Sequence, residues 1–391
     1  MSAATEAAVP GQRPAIRVRR RFHFGLSQRQ FLVVLVAVFI LLFVLMVLES
    51  GAATAGNEVW RGLVLGAIYA LIAVGYTLVY GIIELINFAH GDVFTLSCFY
   101  SIFLAGIPGV QPGFFQRFFG FNLNALAGSG PGGLVLALLI IFPITMTLAG
   151  LTGVLIERVA YRRLRDAPRL APLITAVGVS FLLEGIMFAF FIPPAPPGHP
   201  GYATPGSAYP TGEDGWIPTT QVLFHLGGSN GVIIGANDML VVVVAIVAMF
   251  ALSGFIRYSR TGKAMRASAQ NRDAALLCGI NINRTIAATF FIGSAMAAVG
   301  GIIYSMHYHT ITWNQGYQFG LIAFTAAVLG GIGNIVGAGI GGFLIGLIES
   351  FTVTLLPNGG SWALIVVFAV LILVLTLQPT GLLGMRVPDR A

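Results

Sequence analysis

The sequence carries ten apolar segments, most of them about 20 residues long, separated by polar connections. A segment of this length crosses a bilayer as an α-helix, because lipid offers no hydrogen-bond partner to an unpaired backbone group. Hydrophobic residues make up 57% of the 391 and charged residues only 9%, which is too apolar for an ordinary soluble domain. The sequence therefore predicts an all-α, polytopic integral membrane protein with about ten transmembrane helices, some of them short or broken. The predicted spans are 31–48, 60–80, 86–106, 133–156, 171–192, 237–256, 285–305, 319–331, 335–355 and 362–378.

Basic residues are concentrated in four of the connections, and the positive-inside rule places such connections in the cytoplasm. An even number of spans brings all four to one side and leaves outside only Arg61 and Arg117 of the 21 Lys and Arg residues. This charge pattern accounts for the net charge of +7, so no nucleic-acid partner is expected. We therefore predict a basic cytoplasmic N-terminal arm at 1–30, a membrane domain at 31–380 and a cytoplasmic tail at 381–391.

Three segments of the chain, the first span and the regions 107–132 and 193–236, permit two interpretations each. The first span has a basic flank and could be a cleaved signal peptide, although its 18 apolar residues exceed the usual length of such a region. The segments 107–132 and 193–236 are rich in Gly and Pro and are predicted to be extracytoplasmic. They are either solvated loops or a docking surface for an external partner.

The stretch ELINFAHGDVF interrupts the apolar pattern at a predicted chain reversal with Glu84, Asn87, His90 and Asp92. Ionisable groups at membrane depth are costly and usually face a cavity or one another, which predicts a translocation path or its gate. The alternative is a turn at the cytoplasmic surface in which Asn87 and Asp92 cap helices. Two further acidic residues, Glu184 and Glu349, lie inside predicted spans and are either structural partners or part of the path.

The segment LGGIGN, residues 329–334, breaks the short predicted span at 319–331. Short helices broken by glycine often line the substrate path of transport proteins. Tight helix packing is the alternative, since Gly333, Gly337 and Gly341 recur at four-residue spacing.

We find no catalytic or nucleotide-binding motif in the sequence. A phosphate-binding loop requires Ser or Thr after its Gly-Lys pair, but Lys263 is followed by Ala264. His307 and His309 have no third metal ligand near them in sequence, and the two cysteines, Cys98 and Cys278, have no metal-site spacing.

The stretch RYSRTGKAMRASAQNRDAALLCGI, residues 257–280, is basic and amphipathic, and it contains the only lysine of the chain. It lies between two strongly apolar segments. A segment of this kind either docks on a cytoplasmic partner or lies on the anionic inner leaflet.

Four motifs together are similar to one known family, the H-type membrane permease subunits of bacterial ABC importers for branched-chain amino acids. The resemblance extends over residues 60–380. The motifs are GAIYALIAVGYTLVYGIIELINFAHGDVF (66–94), IERVAYRRLR (156–165), IRYSRTGKAMRASAQNRDAALLCGININR (256–284) and AFTAAVLGGIGNIVGAGIGG (323–342). The arginine-rich N-terminal extension and the segments 107–132 and 193–236 depart from the family pattern.

The resemblance implies one half of a translocation pore in the bacterial inner membrane, with both termini cytoplasmic. The implied partners are a second related permease, two cytoplasmic ATPase subunits, a periplasmic solute-binding protein and membrane lipid. No cofactor is expected in this chain, because ATP would be used by the partner subunits. The family's docking loop, E-A-A-x-x-x-G, has Asp in place of Glu here. The implied coupling residues are Arg266, Asp273, Ala274, Ala275 and Gly279. The candidate path or gate residues are Glu84, Asn87, His90, Asp92, Gly330, Gly331, Gly333 and Asn334.

Other functions remain open at this point. Closely similar permeases carry urea and short amides, so the resemblance leaves the solute undecided. A secondary transporter would need no ATPase and would use Glu84, His90, Asp92 or Glu184 as an ion-coupling site. A membrane-embedded enzyme would need an acid–base pair or a metal motif, neither of which the sequence contains.

Overall fold

The computed structural model describes residues 28–107, 111–165, 167–168, 170–191, 209–210, 222–226, 231–308, 310–378 and 380–384. In this part of the chain fourteen α-helices form a bundle with three two-stranded antiparallel sheets. The helices are α1 Gln28–Ser50, α2 Ala52–Ile83, α3 Ala89–Ala105, α4 Phe114–Phe119, α5 Leu123–Gly128, α6 Pro131–Ile156, α7 Leu170–Phe190, α8 Ala236–Tyr258, α9 Arg260–Gln270, α10 Arg272–Leu277, α11 Ile282–His307, α12 Gln315–Gly330, α13 Ile335–Leu355 and α14 Gly359–Leu377. The strands are β1 Gly106–Ile107, β2 Gln111–Pro112, β3 Tyr209–Pro210, β4 Val222–Leu226, β5 Val232–Gly235 and β6 Thr310–Ile311.

Each predicted span corresponds to a helix, which confirms the all-α polytopic class. Eight helices are long and apolar enough to cross a bilayer. The other two, α3 with 17 residues and α12 with 16, are shorter. At 1.5 Å per residue each measures about 25 Å, less than the hydrocarbon thickness of about 30 Å. Both therefore need non-helical chain to complete a crossing, as the prediction of short or broken helices requires.

The centre of the bundle is the pair α2 and α13, which pack backbone against backbone. A Cβ atom at Gly346 of α13 would lie 2.3 Å from the amide nitrogen of Gly66 in α2, and one at Gly342 would lie 2.3 Å from that of Ala70. Small residues permit this approach, which maximises dispersion contacts where no hydrophobic effect favours association. The peripheral helices α1, α6, α7, α8 and α14 instead expose apolar side chains, as a lipid-facing or subunit-facing layer does.

One end of the bundle collects the predicted cytoplasmic connections. Gln28, at the start of α1, donates a hydrogen bond to the carbonyl of Leu382 near the other end of the chain. The turn between α12 and α13 lies beside the end of α2, where a Cβ atom at Gly81 would be 3.2 Å from the Cα of Gly333. Arg165 of the α6–α7 connection donates to Asn283 at the start of α11 over 2.6 Å. These contacts bring the predicted cytoplasmic connections to one end of the bundle, and the side of the membrane that this end faces stays a prediction. Most of the 1–30 arm and most of the 381–391 tail lie outside the described residues.

The opposite end carries the segments predicted to be extracytoplasmic. Residues 111–128 fold into β2, α4 and α5, and β3 pairs with β6 across the bundle end. Asp238 at the start of α8 accepts a hydrogen bond from the indole of Trp60 and lies 3.3 Å from His307 Nδ1. Most of the 193–236 segment lies outside the described residues, so its role as a docking surface stays a prediction.

Candidate functional site

The chain reverses direction between α2 and α3 inside the bundle, below the end that carries the predicted cytoplasmic connections. Helix α2 ends at Ile83, and Glu84 adopts a left-handed conformation with φ 60° that terminates it. Residues 84–88 then run back along α2 before α3 begins, so that His90 packs against Gly75, where a Cβ atom would lie 2.5 Å from His90 Nε2. Gly75 precedes the end of α2 by about 12 Å of helix. Helix α3 therefore starts at depth, with the non-helical segment 84–88 completing the crossing.

The structure divides the four polar residues of this reversal into two groups. Glu84 is exposed at the bundle end, whereas Asn87, His90 and Asp92 are 3%, 1% and 0% exposed. The alternative interpretation, that Asn87 and Asp92 cap helices, is wrong for the described structure, because the N-cap of α3 is Phe88 and it has no side-chain cap. The Asn87 amide oxygen instead accepts a hydrogen bond from the hydroxyl of Tyr161 over 3.1 Å.

Asp92 of α3 contacts α7 and α12, at the depth where α3 and α12 begin. One of its carboxylate oxygens accepts a hydrogen bond from the hydroxyl of Ser180 in α7. The other lies against the first turn of α12, where a Cβ atom at Gly316 would be 2.6 Å away. Asp92 also occupies the first turn of α3. The positive ends of two helix dipoles thus surround this carboxylate and compensate in part for its removal from water.

We expect Ser180→Ala to destabilise the bundle, because the buried Asp92 carboxylate would lose its side-chain donor. Leaving a buried polar group without its partner costs about 1–3 kcal/mol, and more for a charged one. Thr147→Ala is the matched control, because Thr147 is exposed on α6 and its hydroxyl bonds only the carbonyl of Pro143 in its own helix. The midpoint of thermal unfolding of the purified protein measures the stability of both variants. Equal midpoints would show that the hydrogen bond from Ser180 to Asp92 does not stabilise the bundle.

The glycine-rich turn predicted at 330–334 separates α12 from α13. Gly331 and Gly333 have φ values of 106° and 91°, which only glycine adopts without strain. Gly330 packs against α13, where its Cβ atom would lie 2.0 Å from the carbonyl oxygen of Gly337. Asn334 caps α13 by accepting from the Gly337 amide over 3.0 Å and donates to the carbonyl of Leu383 over 2.9 Å. Here the packing interpretation accounts for the residues, and they lie at the bundle end near Glu84 rather than beside Asp92.

The basic stretch at 257–280 forms two short helices, each started by a polar cap. The Ser259 hydroxyl accepts from the Gly262 amide at the start of α9, and Asn271 accepts from the amides of Asp273 and Ala274 at the start of α10. Helix α10 is followed by a turn in which Gly279 has φ 78°. A Cβ atom would be strained there, which explains the glycine of the docking-loop pattern.

Helix α10 has one face on its own protein and one face exposed. Ala275 is only 3% exposed, whereas Leu276 is 55% and Leu277 is 91% exposed. Of the two alanines implied as coupling residues, Ala274 is exposed and available to a partner, whereas Ala275 packs inward on its own protein. Sequence reasoning missed the two leucines; two adjacent apolar residues in an otherwise polar segment were the available signal.

The loop 257–284, which is predicted to be a cytoplasmic coupling loop and is here called the coupling segment, is attached to the end of α2. The guanidinium of Arg272 donates to the carbonyl of Ile83, the last residue of α2, over 2.8 Å. Arg266 is exposed on α9 and donates to the carbonyl of Arg257, and Asp273 is exposed on α10. This hydrogen bond joins the start of α10 to the residue that precedes the buried reversal.

The two remaining acidic candidates, Glu184 and Glu349, lie within helices. Glu349 accepts a hydrogen bond from Tyr69 over 2.8 Å, and Glu184 is 8% exposed within α7. The described residues contain no group of three potential metal ligands, and His309 lies outside them. Cys98 is buried and Cys278 is exposed, both as free thiols.

Comparison with known proteins agrees with this architecture. Residues 59–375 match the family described as "Branched-chain amino acid transport system / permease component". The chain is 40% identical over 328 residues to the high-affinity branched-chain amino acid transport system permease protein BraD of Pseudomonas aeruginosa, with 84% of this chain and 95% of the relative covered. It is 39% identical over 335 residues to LivH of Escherichia coli strain K12, described in the same words, with the same coverage.

More distant similarity is limited to part of the chain. The xylose transport system permease protein XylH of Escherichia coli is 30% identical over 138 residues, which cover 33% of this chain and 35% of that protein. No solved structure shows significant similarity to the chain. The matched region includes the buried reversal, the coupling segment and the glycine turn, and the chain belongs to the family of branched-chain amino acid transport permease components.

Proposed function

We propose that this chain is the permease subunit of an ATP-driven importer and forms half of the translocation path for branched-chain amino acids. The observation that carries the proposal is the two-sided helix α10, which is fixed to the end of α2 through Arg272 and exposes Leu276 and Leu277 on its other face. Exposed leucines beside basic residues suit a partner groove with an apolar floor and an acidic rim. Two cytoplasmic ATPase subunits would supply such grooves and use the ATP, since this chain has no nucleotide motif.

The proposed assembly has three further components. A second related permease covers part of the apolar surface of the peripheral helices, and lipid covers the rest. A periplasmic solute-binding protein delivers the solute to the end that carries Trp60 and Asp238. The basic connections at the other end support, by the positive-inside rule, our proposal that both termini are cytoplasmic and that the chain lies in a bacterial inner membrane.

In the proposed mechanism, this chain transmits movement and performs no covalent chemistry. Closure of the ATPase pair on ATP displaces α10, and the Arg272–Ile83 hydrogen bond passes the movement to the end of α2. The segment 84–88 joins that end to α3, and contacts of Asn87, His90 and Asp92 connect it to the surrounding helices. Movement of this segment changes how α3 and α12 pack, and the translocation path opens to one side of the membrane or the other. The glycine turn at 330–334, in contact with α2 at Gly81, belongs to the same moving region.

The test of this function measures both the solute and the energy source. Cells that express the complete transporter should accumulate L-leucine, L-isoleucine and L-valine, and urea and acetamide should not compete. Uptake should persist when an uncoupler removes the proton gradient while ATP is held constant, because no ion gradient takes part. Uptake that is lost with the gradient would support the secondary transporter, and competition by urea or acetamide would support an amide permease.

A further inference from the structure

A cavity of about 490 Å³ lies at the cytoplasmic end, between the coupling segment, the end of α2 and the α6–α7 connection. This volume suits a small organic molecule. Three parts of the chain that are distant in sequence line it. The lining residues are Ile82, Ile83, Glu84, Leu85, Arg165, Ala167, Ser268, Ala269, Asn271, Arg272 and Asp273. The cavity lies on the inner side of the coupling segment, whereas Leu277 projects from the outer side.

The charges that line this cavity have both signs. Arg165 and Arg272 supply two guanidinium groups, and Glu84 and Asp273 supply two carboxylates. Arg272 uses one of its five N–H donors on Ile83, so further donors are available for a ligand. Burial lowers the pKa of Arg165 below its ordinary value; Glu157 opposes this shift and the neighbouring charge of Arg272 adds to it. A ligand with one negative and one positive group complements this lining better than a simple anion does.

Two buried polar atoms of lining residues make no hydrogen bond to a described residue, the Ser268 hydroxyl and the Arg165 Nε. Ser268 is 2% exposed, and its hydroxyl makes no hydrogen bond to any described residue. Buried hydroxyl groups are normally hydrogen-bonded, so an unpartnered one in a cavity wall marks a place for a ligand atom. The aliphatic side chains of Ile82, Ile83 and Leu85 provide an apolar wall in the same cavity.

We propose that this cavity binds a free amino acid with an aliphatic side chain on the cytoplasmic side and thereby inhibits import. The guanidinium groups receive the carboxylate, the acidic residues receive the ammonium group, and Ile82, Ile83 and Leu85 contact the side chain. A bound molecule bridges the coupling segment, α2 and the α6–α7 connection, so it resists the movement of α10 that drives transport. The proposal rests on the proposed function for the class of solute, and it adds a second site that the accumulated product occupies.

The first experiment measures binding of radiolabelled L-leucine to the purified transporter in lipid nanodiscs, without ATP or solute-binding protein. Two analogues test the charge requirement: 4-methylpentanoate lacks the amino group and 3-methylbutylamine lacks the carboxylate. We expect each analogue to compete at least about tenfold more weakly than unlabelled leucine, the effect of losing one good polar contact. Equal competition by either analogue would overturn the proposed zwitterion site.

Two variants locate the binding. Ser268→Leu fills the cavity and should weaken leucine binding by at least about tenfold, whereas Ser361→Leu makes the same change at an exposed position at the opposite bundle end. Glu84→Gln removes one exposed carboxylate and provides a test that does not depend on the buried position. Unchanged leucine affinity in Glu84→Gln together with unchanged affinity or failed assembly in Ser268→Leu would reject the site.

The second experiment separates this inference from the proposed function. Proteoliposomes preloaded with leucine on the ATPase side should import labelled leucine more slowly than empty ones. Glu84→Gln should bring the ratio of these two rates closer to one, whatever its import rate into empty vesicles. Absence of ATP-driven leucine import in every preparation would refute the proposed function itself. Import that proceeds equally in empty and preloaded vesicles would refute only the inhibitory site.

Discussion

Leu277→Asp should abolish solute uptake and the co-purification of the ATPase subunit, while the amount of permease in the membrane stays unchanged. Leu277 is 91% exposed and contributes little to the fold of its own chain. Burying a leucine in a partner contributes about 1.5–3 kcal/mol, and each 1.4 kcal/mol corresponds to tenfold in affinity. An aspartate would also bring an unpaired charge into the apolar contact, which adds a desolvation cost of several kcal/mol.

Leu170→Asp is the matched control for this prediction. Leu170 is also exposed, at 67%, and lies at the same end of the bundle, at the start of α7 and outside the coupling segment. It should retain uptake and ATPase association. Wild-type uptake and association in Leu277→Asp would show that α10 does not dock on the ATPase.

Ala275→Glu tests a different property. Because Ala275 is only 3% exposed, a glutamate there displaces α10 from its own protein. Its expected defect combines lower stability with lost coupling, and it cannot report on docking alone. The exposed leucine is therefore the sharper test of the contact.

Gly346→Ala should destabilise the protein by about 1–3 kcal/mol, the usual cost of overpacking, and should lower its amount in the membrane. The added methyl group would lie 2.3 Å from the amide nitrogen of Gly66 and 2.5 Å from the carbonyl oxygen of Gly62. Both neighbours are backbone atoms of α2, so neither can move without displacing the helix. The central pair of helices would separate along this contact.

Gly254→Ala on α8 is the control, and it should stabilise the protein instead of destabilising it. A Cβ atom at Gly254 meets no described atom within 4 Å. Alanine is the better helix former, so this variant should gain up to about 1 kcal/mol. Thermal unfolding of the purified permease measures both variants. A midpoint for Gly346→Ala equal to or above that of the wild type would contradict the close α2–α13 contact.

The sequence by itself predicts the fold class, the succession of spans and the location of the coupling segment. These properties depend on local quantities: the length of an apolar run, the charge of a connection and the spacing within a motif. Even the break at 330–334 is local, because Gly331 and Gly333 are needed for their own backbone conformations.

The contacts of the candidate site depend on how the helices rotate and approach one another. In a soluble helix the apolar face would reveal the rotation, but here lipid and protein interior both favour apolar residues, so the pattern does not distinguish the faces. The partnership of Asp92 with Ser180 joins residues 88 positions apart. The inward turn of Ala275 and the cavity beside Arg165 likewise arise only from packing between distant segments. Tertiary structure alone decides these features, because no local property of the sequence encodes which helix faces meet.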